Sequence, residues 1–177
     1  LALRTGVLDQ ALSSRKVHGR PIPRLGGVAM VASFYLAVGV LALADPGVRT
    51  LLAADGTRTA ALLLGGLAIA GLGLHDDLHG ATASTKLLVE LALAGLLFAA
   101  GFRIDEVALP FLPPLALGWL ALPVTVLWIA GVTNAVNLVD GLDGLAAGVA
   151  LVAAAATGLL AFLGGNLLVV LLAAALA

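Results

Sequence analysis

Residues 25–44 read LGGVAMVASFYLAVGVLALA, a run without one charged side chain. A membrane-spanning helix needs about 20 mostly apolar residues, and this run supplies them. Working outward, further apolar runs occur at 59–74, at 87–102 with Glu90 as the lone charge, at 107–139, and at 144–163. A sixth begins at 167–177 after the turn Gly164-Gly165-Asn166. Within 107–139, Pro110, Pro113, Pro114 and Pro123 mark a re-entry segment, which puts the span itself at 115–134. Composition agrees: 62% of the 177 residues are hydrophobic and 11% are charged, against about 45–50% and about 25% in soluble domains. Mean hydropathy is +1.15. Such a chain cannot cover a soluble surface, so the bilayer must be its solvent. The fold expected is all-α: one integral membrane domain over 1–177, a polytopic transmembrane helical bundle with five full spans and a partial sixth. A net charge of −1 offers no field for nucleic acid, and the absence of Cys excludes disulfides and thiolate metal sites. The chain starts at Leu1 and stops inside an apolar run, so it is expected to be a fragment of a longer protein.

The links between runs are 1–24, 45–58, 75–86, 103–114, 135–143 and 164–166. If each run crosses once, 1–24, 75–86 and 135–143 share one side. That side holds Arg4, Arg15, Lys16, Arg20, Arg24 and Lys86, whereas Arg49, Arg58 and Arg103 lie opposite. Basic residues favour the cytoplasm, so the first group is expected inside. The parity uses hydropathy alone, yet it gathers every unusual polar cluster on one face.

Three clusters stand out. The first, Arg15-Lys16-Val17-His18-Gly19-Arg20-Pro21-Ile22-Pro23-Arg24-Leu25-Gly26-Gly27, combines cations, a Pro-restricted backbone and a Gly-Gly helix start. Close backbone approach and a helix N-terminus suit a phosphate. The same charges could serve only as the positive-inside signal; the Pro-x-Pro-Arg-x-Gly-Gly context favours binding. The second, Gly73-Leu74-His75-Asp76-Asp77-Leu78-His79-Gly80 followed by Lys86, sets two carboxylates at the end of a span. Neighbouring like charges there are costly, and a divalent cation with oxygen ligands, such as Mg²⁺, relieves them. His75 and His79 read as interfacial residues. The third, Asn134-Ala135-Val136-Asn137-Leu138-Val139-Asp140-Gly141-Leu142-Asp143-Gly144, repeats a polar residue every third position. On a helix this is a slowly turning stripe that must face a cavity or other helices. The glycines in the spans read as helix-packing positions.

In this order, the three motifs resemble the polyprenyl-phosphate N-acetylhexosamine-1-phosphate transferases (glycosyltransferase family 4), most nearly the bacterial undecaprenyl-phosphate N-acetylglucosamine-1-phosphate transferases. The resemblance runs through nearly the whole chain, and the third motif is its most specific part. It implies transfer of N-acetylhexosamine-1-phosphate, N-acetylglucosamine-1-phosphate by preference, from a UDP-sugar to undecaprenyl phosphate. A lipid phosphate attacks the β-phosphorus and UMP leaves, which begins a cell-envelope glycan such as lipopolysaccharide or teichoic acid. It implies Mg²⁺, with Mn²⁺ as an alternative. It also implies a multi-pass protein of the bacterial plasma membrane with a cytoplasmic active site, and leaves room for a homodimer. Carried onto this chain, Asp76, Asp77, Asp140 and Asp143 are the expected catalytic residues. Asp76, Asp77 and Asn137 are the expected metal ligands. Arg15, Lys16, His18, Arg20, Arg24, Lys86, Asn134 and Asn137 are the expected substrate-binding residues. The Gly-Asp-x-Gly-Ser motif and the His-rich loop that the family carries further on do not occur between Leu1 and Ala177, so the fragment is expected to be inactive alone.

The rival readings fare worse. His75 and His79 stand at i and i+4, as in a zinc metalloprotease helix, but the intervening acid is Asp rather than Glu, and the basic loop has no part in peptide hydrolysis. An Asp-rich prenyltransferase motif would need an acid where Gly80 stands, and a CDP-alcohol phosphotransferase would need Ala-Arg where Ala146-Ala147 stand. A transporter would tolerate Asp76→Asn and Asp77→Asn.

Overall fold

The computed structural model describes residues 8–9, 22–23, 26–111, 113–139 and 145–177. Among the described residues, seven α-helices carry the fold: α1 Gly26–Ala44, α2 Pro46–Ala54, α3 Gly56–His79, α4 Ala83–Ala99, α5 Ala121–Val139, α6 Leu145–Leu163 and α7 Leu167–Leu176. Two small antiparallel ribbons accompany them: β1 Leu8–Asp9 with β2 Ile22–Pro23, and β3 Glu106–Val107 with β4 Leu115–Ala116. Among the described residues, four helical segments are long and apolar enough to cross a membrane: Gly26–Ala44, Gly56–His79, Gly118–Val139 and Leu145–Leu163. At 17 residues α4 is slightly shorter, and α7 is the shorter apolar helix that ends the chain. This is an all-α multi-pass membrane protein.

Its interior and exterior invert the soluble pattern. Among the described residues, the buried apolar side chains are Val38, Ala94, Ala121, Ala130, Ala154 and Ala173, nearly all alanines, and no large side chain is fully buried. Leu43 (82% exposed) and Leu163 (74%) point outward, as lipid-facing residues do. Small residues let helices approach closely where no hydrophobic effect drives them together. A Cβ at Gly158 would lie 3.3 Å from the Ala173 methyl, which shows how tightly α6 and α7 pack.

Local signals set the helix ends. Asp45 caps α2, its Oδ1 accepting from the Gly47 amide at 2.6 Å, with Pro46 at the first position. Asp55 caps α3 by accepting from the Arg58 amide at 3.2 Å. Thr82 caps α4 by accepting from the Thr85 amide at 3.2 Å. After α4 the chain stops in a Schellman turn: the Gly101 amide donates to the Phe98 carbonyl and the Phe102 amide to that of Leu97, both at 3.0 Å. Gly101 has φ +101°. The same motif at Gly164-Gly165-Asn166 turns α6 into α7, and Asn166 then caps α7.

Several expected boundaries move. α3 continues through His79, so Asp76 and Asp77 are helical and the expected link 75–86 shrinks to residues 80–82. α5 runs to Val139 and takes in the first half of the expected 135–143 link. The link 45–58 contains α2, a short helix that hydropathy passes over because it has only nine residues. The Pro-rich stretch forms the β3–β4 ribbon, and the helix starts later than expected. A 3₁₀ turn at Gly118–Leu120 leads into α5, and Pro123 sits in its first turn, where no amide bond is lost.

The backbone at Gly101 suggests a contrast. A Cβ there would meet Arg58 Nε at 2.9 Å, whereas one at Gly95 meets nothing within 4 Å. Gly101→Ala is expected to lower stability by about 1–2 kcal/mol, and Gly95→Ala to be neutral or stabilising by up to about 1 kcal/mol. Thermal unfolding in detergent distinguishes them, and equal melting temperatures would contradict this account of the turn.

Candidate active site

The polar residues are placed by helix packing. The short link 80–82 makes α3 and α4 antiparallel neighbours. Gly80 provides the turn at φ +76°, its amide donating to the Asp76 carbonyl at 2.8 Å. α4 and α5 are tied at two levels. Beyond the C-terminal end of α4, the Ile104 amide donates to Thr125 Oγ1 at 2.9 Å. Towards the other end, Asn134 Nδ2 donates to Glu90 Oε2. These two ties make α4 and α5 antiparallel and bring the C-terminal turns of α5 beside the N-terminal half of α4. On α1, the Tyr35 hydroxyl donates to the Leu63 carbonyl of α3. Tyr35 lies nine residues before the end of α1 and Leu63 seven residues after the start of α3, so these levels match for antiparallel helices. His79, Ala83 and Val139 therefore lie towards one end of the bundle, with Gly26 on the same side of the Tyr35–Leu63 tie.

At that end Asp76 is held on both oxygens. Oδ1 accepts from the Ala81 amide at 2.8 Å, and Oδ2 pairs with Lys86 Nζ, both side chains part-buried. The first bond closes the 80–82 turn; the second crosses from α3 to α4. Asp77, His75 and His79 are exposed on the last turns of α3. The two imidazoles stack at 5.0 Å between centroids and 26° between planes. Among the described residues no group of three or more His, Cys, Asp or Glu could hold a metal; zinc hydrolysis by His75 and His79 therefore gains no support.

Glu90 and Asn134 form the second cross-link. Glu90 is 6% exposed, near the middle of α4. A buried charge is costly unless it is hydrogen-bonded, so it needs a partner. Asn134 supplies one, and its Nδ2 also donates to the Ala130 carbonyl at 2.9 Å. Lys86, Glu90 and Ala94, spaced four apart, form one inward stripe on α4. The two cross-links thus leave α4 from one face, a single turn apart.

Of the expected site residues, the structure sets Asp76, Asp77 and Lys86 together where α3 ends and α4 begins, Asn134 against Glu90 further along α4, and Asn137 on the last turns of α5. Asn137 is exposed, one turn beyond Asn134. Lys86 and Asn134, expected to bind substrate, have their polar groups turned onto Asp76 and Glu90 respectively. Arg15, Lys16, His18, Arg20, Arg24, Asp140 and Asp143 lie outside the described residues. Glu90 belongs to no expected set, although a lone acid in an apolar run is itself a signal. Between α1, α3, α6 and α7 lies an apolar groove of about 800 Å³, lined by Met30, Phe34, Leu62, Ala153 and Leu172 among others.

The Asp76–Lys86 pair can be tested on its own. Asp76→Asn and Lys86→Met are each expected to lower stability by about 1 kcal/mol, and the double variant by less than their sum. Thermal unfolding of the four proteins measures this coupling; strictly additive losses would show that the pair does not join α3 to α4.

Residues 59–177 match the profile of Glycosyl transferase family 4. The chain is 40% identical, over 170 residues, to a probable undecaprenyl-phosphate N-acetylglucosaminyl 1-phosphate transferase of Bacillus subtilis, covering 96% of this chain and 44% of the relative. It is 34% identical over 183 residues to a decaprenyl-phosphate N-acetylglucosaminephosphotransferase of Mycobacterium tuberculosis, covering 95% and 43%. A phospho-N-acetylmuramoyl-pentapeptide-transferase of Desulfotalea psychrophila is 36% identical over 147 residues, covering 72% and 40%. No solved structure matches. The chain spans less than half the length of these relatives. With a profile match over residues 59–177 and a relative 40% identical across nearly all of it, this chain belongs to Glycosyl transferase family 4.

Proposed function

We propose that the protein containing this chain transfers N-acetylglucosamine-1-phosphate from a UDP-sugar to undecaprenyl or a similar polyprenyl phosphate, at the cytoplasmic face of a bacterial plasma membrane. The observation that carries this reading is that α4 is tied on one face to Asp76 of α3 through Lys86 and to Asn134 of α5 through Glu90, which supports a site shared by the α3 acids and the α5 amides. The names of the B. subtilis and M. tuberculosis relatives supply the donor group and the lipid acceptor.

In the reaction an oxygen of the lipid phosphate forms a bond to the β-phosphorus of the UDP-sugar. The bond from that phosphorus to the bridging oxygen breaks, and UMP leaves with the bridging oxygen. The barrier is largely electrostatic, because two anionic phosphates must meet. Mg²⁺ takes one or two carboxylates together with substrate phosphates and water; Asp77 and Asn137, exposed on the last turns of α3 and α5, are the groups we assign to it, whereas both oxygens of Asp76 are engaged by Lys86 and the Ala81 amide. When bound, it neutralises phosphate charge. Asp76, held by Lys86 and the Ala81 amide, fixes the end of α3. Asp77, exposed on the same turn, is the acid we assign to the reactants. Arg15, Lys16, His18, Arg20 and Arg24 precede α1, whose first residue opens at the same end, and we assign them to phosphate binding. Asp140 and Asp143 follow Asn137 in sequence and complete the assigned catalytic set. The apolar groove offers room for an isoprenoid tail, and the glycan begun would belong to the cell envelope.

The test is direct. The full-length gene product, with undecaprenyl phosphate, Mg²⁺ and UDP-N-acetylglucosamine, is expected to release UMP and form a labelled diphospho-lipid. Asp77→Asn should slow turnover by at least about 100-fold without unfolding the protein, and EDTA should abolish it. Failure to form product with any UDP-N-acetylhexosamine would refute the reading.

A further inference from the structure

We infer that Glu90 is a positioning residue for the transfer reaction: it acts through Asn134 to set the end of α5 that carries Asn137 against the acidic end of α3. The inference rests on the proposed function and assigns Glu90 a role within it.

Four observations lead here. Glu90 is buried, and its Oε2 accepts from Asn134 Nδ2 across 44 positions of sequence. The same Nδ2 donates to the Ala130 carbonyl, so its donors are directed towards Glu90 and its own helix. That leaves Oδ1 as the acceptor of this side chain. Lys86 lies one turn before Glu90 on α4 and holds Asp76. Asn137 lies one turn beyond Asn134, and Asp140 and Asp143 follow it in the chain.

α4 thereby works as a ruler. From one face it grips α3 through Lys86 and α5 through Glu90, and the rise between those grips is fixed at about 6 Å by helix geometry. Small displacements of reacting groups cost large factors in rate. A membrane helix held only by alanine contacts can slide or rotate; a buried carboxylate on a partner amide removes that freedom. Burial near the middle of α4 also means that Glu90 acts without touching substrate, as a support for the residues that do.

The experiment uses the full-length protein, with wild-type turnover of UDP-N-acetylglucosamine and undecaprenyl phosphate established first. If the wild type makes no product, the functional reading fails, and this inference with it. With an active wild type, four variants are compared: Glu90→Gln, Glu90→Leu, Asn134→Leu and the double Glu90→Leu/Asn134→Leu. Glu90→Gln keeps an acceptor for Nδ2 and should retain kcat within about threefold. Glu90→Leu should lower kcat at least tenfold, with KM for the UDP-sugar changed less than threefold. The double variant removes both polar groups. It should recover the melting temperature that Glu90→Leu loses but not its kcat, which separates positioning from stability. The inference is overturned if Glu90→Leu keeps kcat within twofold, if kcat recovers along with melting temperature in the double variant, or if Glu90→Gln loses as much turnover as Glu90→Leu.

Discussion

A buried carboxylate has little water to turn to, and this chain answers that constraint by pairing two of its acids with polar groups on neighbouring helices. Glu90 on α4 has Asn134 on α5, and Asp76 at the end of α3 has Lys86 on α4. Interhelical hydrogen bonds in membranes contribute modestly, about 0.6 kcal/mol on average. Their importance here is directional. The alanine-rich contacts that make up the rest of the interior set how closely the helices approach but discriminate weakly between registers. The polar pairs do discriminate, because a displaced helix would leave a carboxylate unpartnered in a medium that penalises it.

From that constraint the separation of labour follows. The bundle is apolar around its circumference, where leucines and valines meet lipid, and polar at the end where α1 begins, α3 ends and α5 ends. A site there can meet a water-soluble nucleotide sugar from one side and a membrane-embedded phosphate from the other. The proposed reaction needs both at once. The aqueous reactant has no reason to enter the bilayer, and the prenyl tail has no reason to leave it.

Much of this was legible in the sequence, and the parts that were not have a common cause. Charge-free runs locate the helices because 20 apolar residues have few alternatives in a bilayer. The parity of those runs puts the Asp pair and the Asn-Asp motif on one side, and α4 is tied to a residue of each, Asp76 and Asn134. Hydropathy could not find the helix ends. Asp76 and Asp77 read as loop by polarity, yet the backbone stays helical until the positive φ of Gly80 turns it. The nine-residue helix α2 and the β3–β4 ribbon are too short to leave a hydropathy signature. Partner choice was out of reach for a different reason. Lys86 and Asn134 carry groups that suit a phosphate or a sugar equally well, and only packing shows their side chains turned onto Asp76 and Glu90. Glu90 was visible as the one charge in 87–102, but its partner lies on another helix, far off in sequence.

The central claim is that the last turns of α3 and α5 lie together at one end of the bundle. The chain has no cysteine, so nitroxide labels at Asp77→Cys and Asn137→Cys can be placed singly and in pairs, in detergent or lipid nanodiscs. Pulsed electron–electron spin resonance then reads their separation. The account predicts a distance well short of the bilayer's hydrocarbon thickness of about 30 Å. A separation equal to that thickness or greater would put the two motifs on opposite faces of the membrane and contradict it.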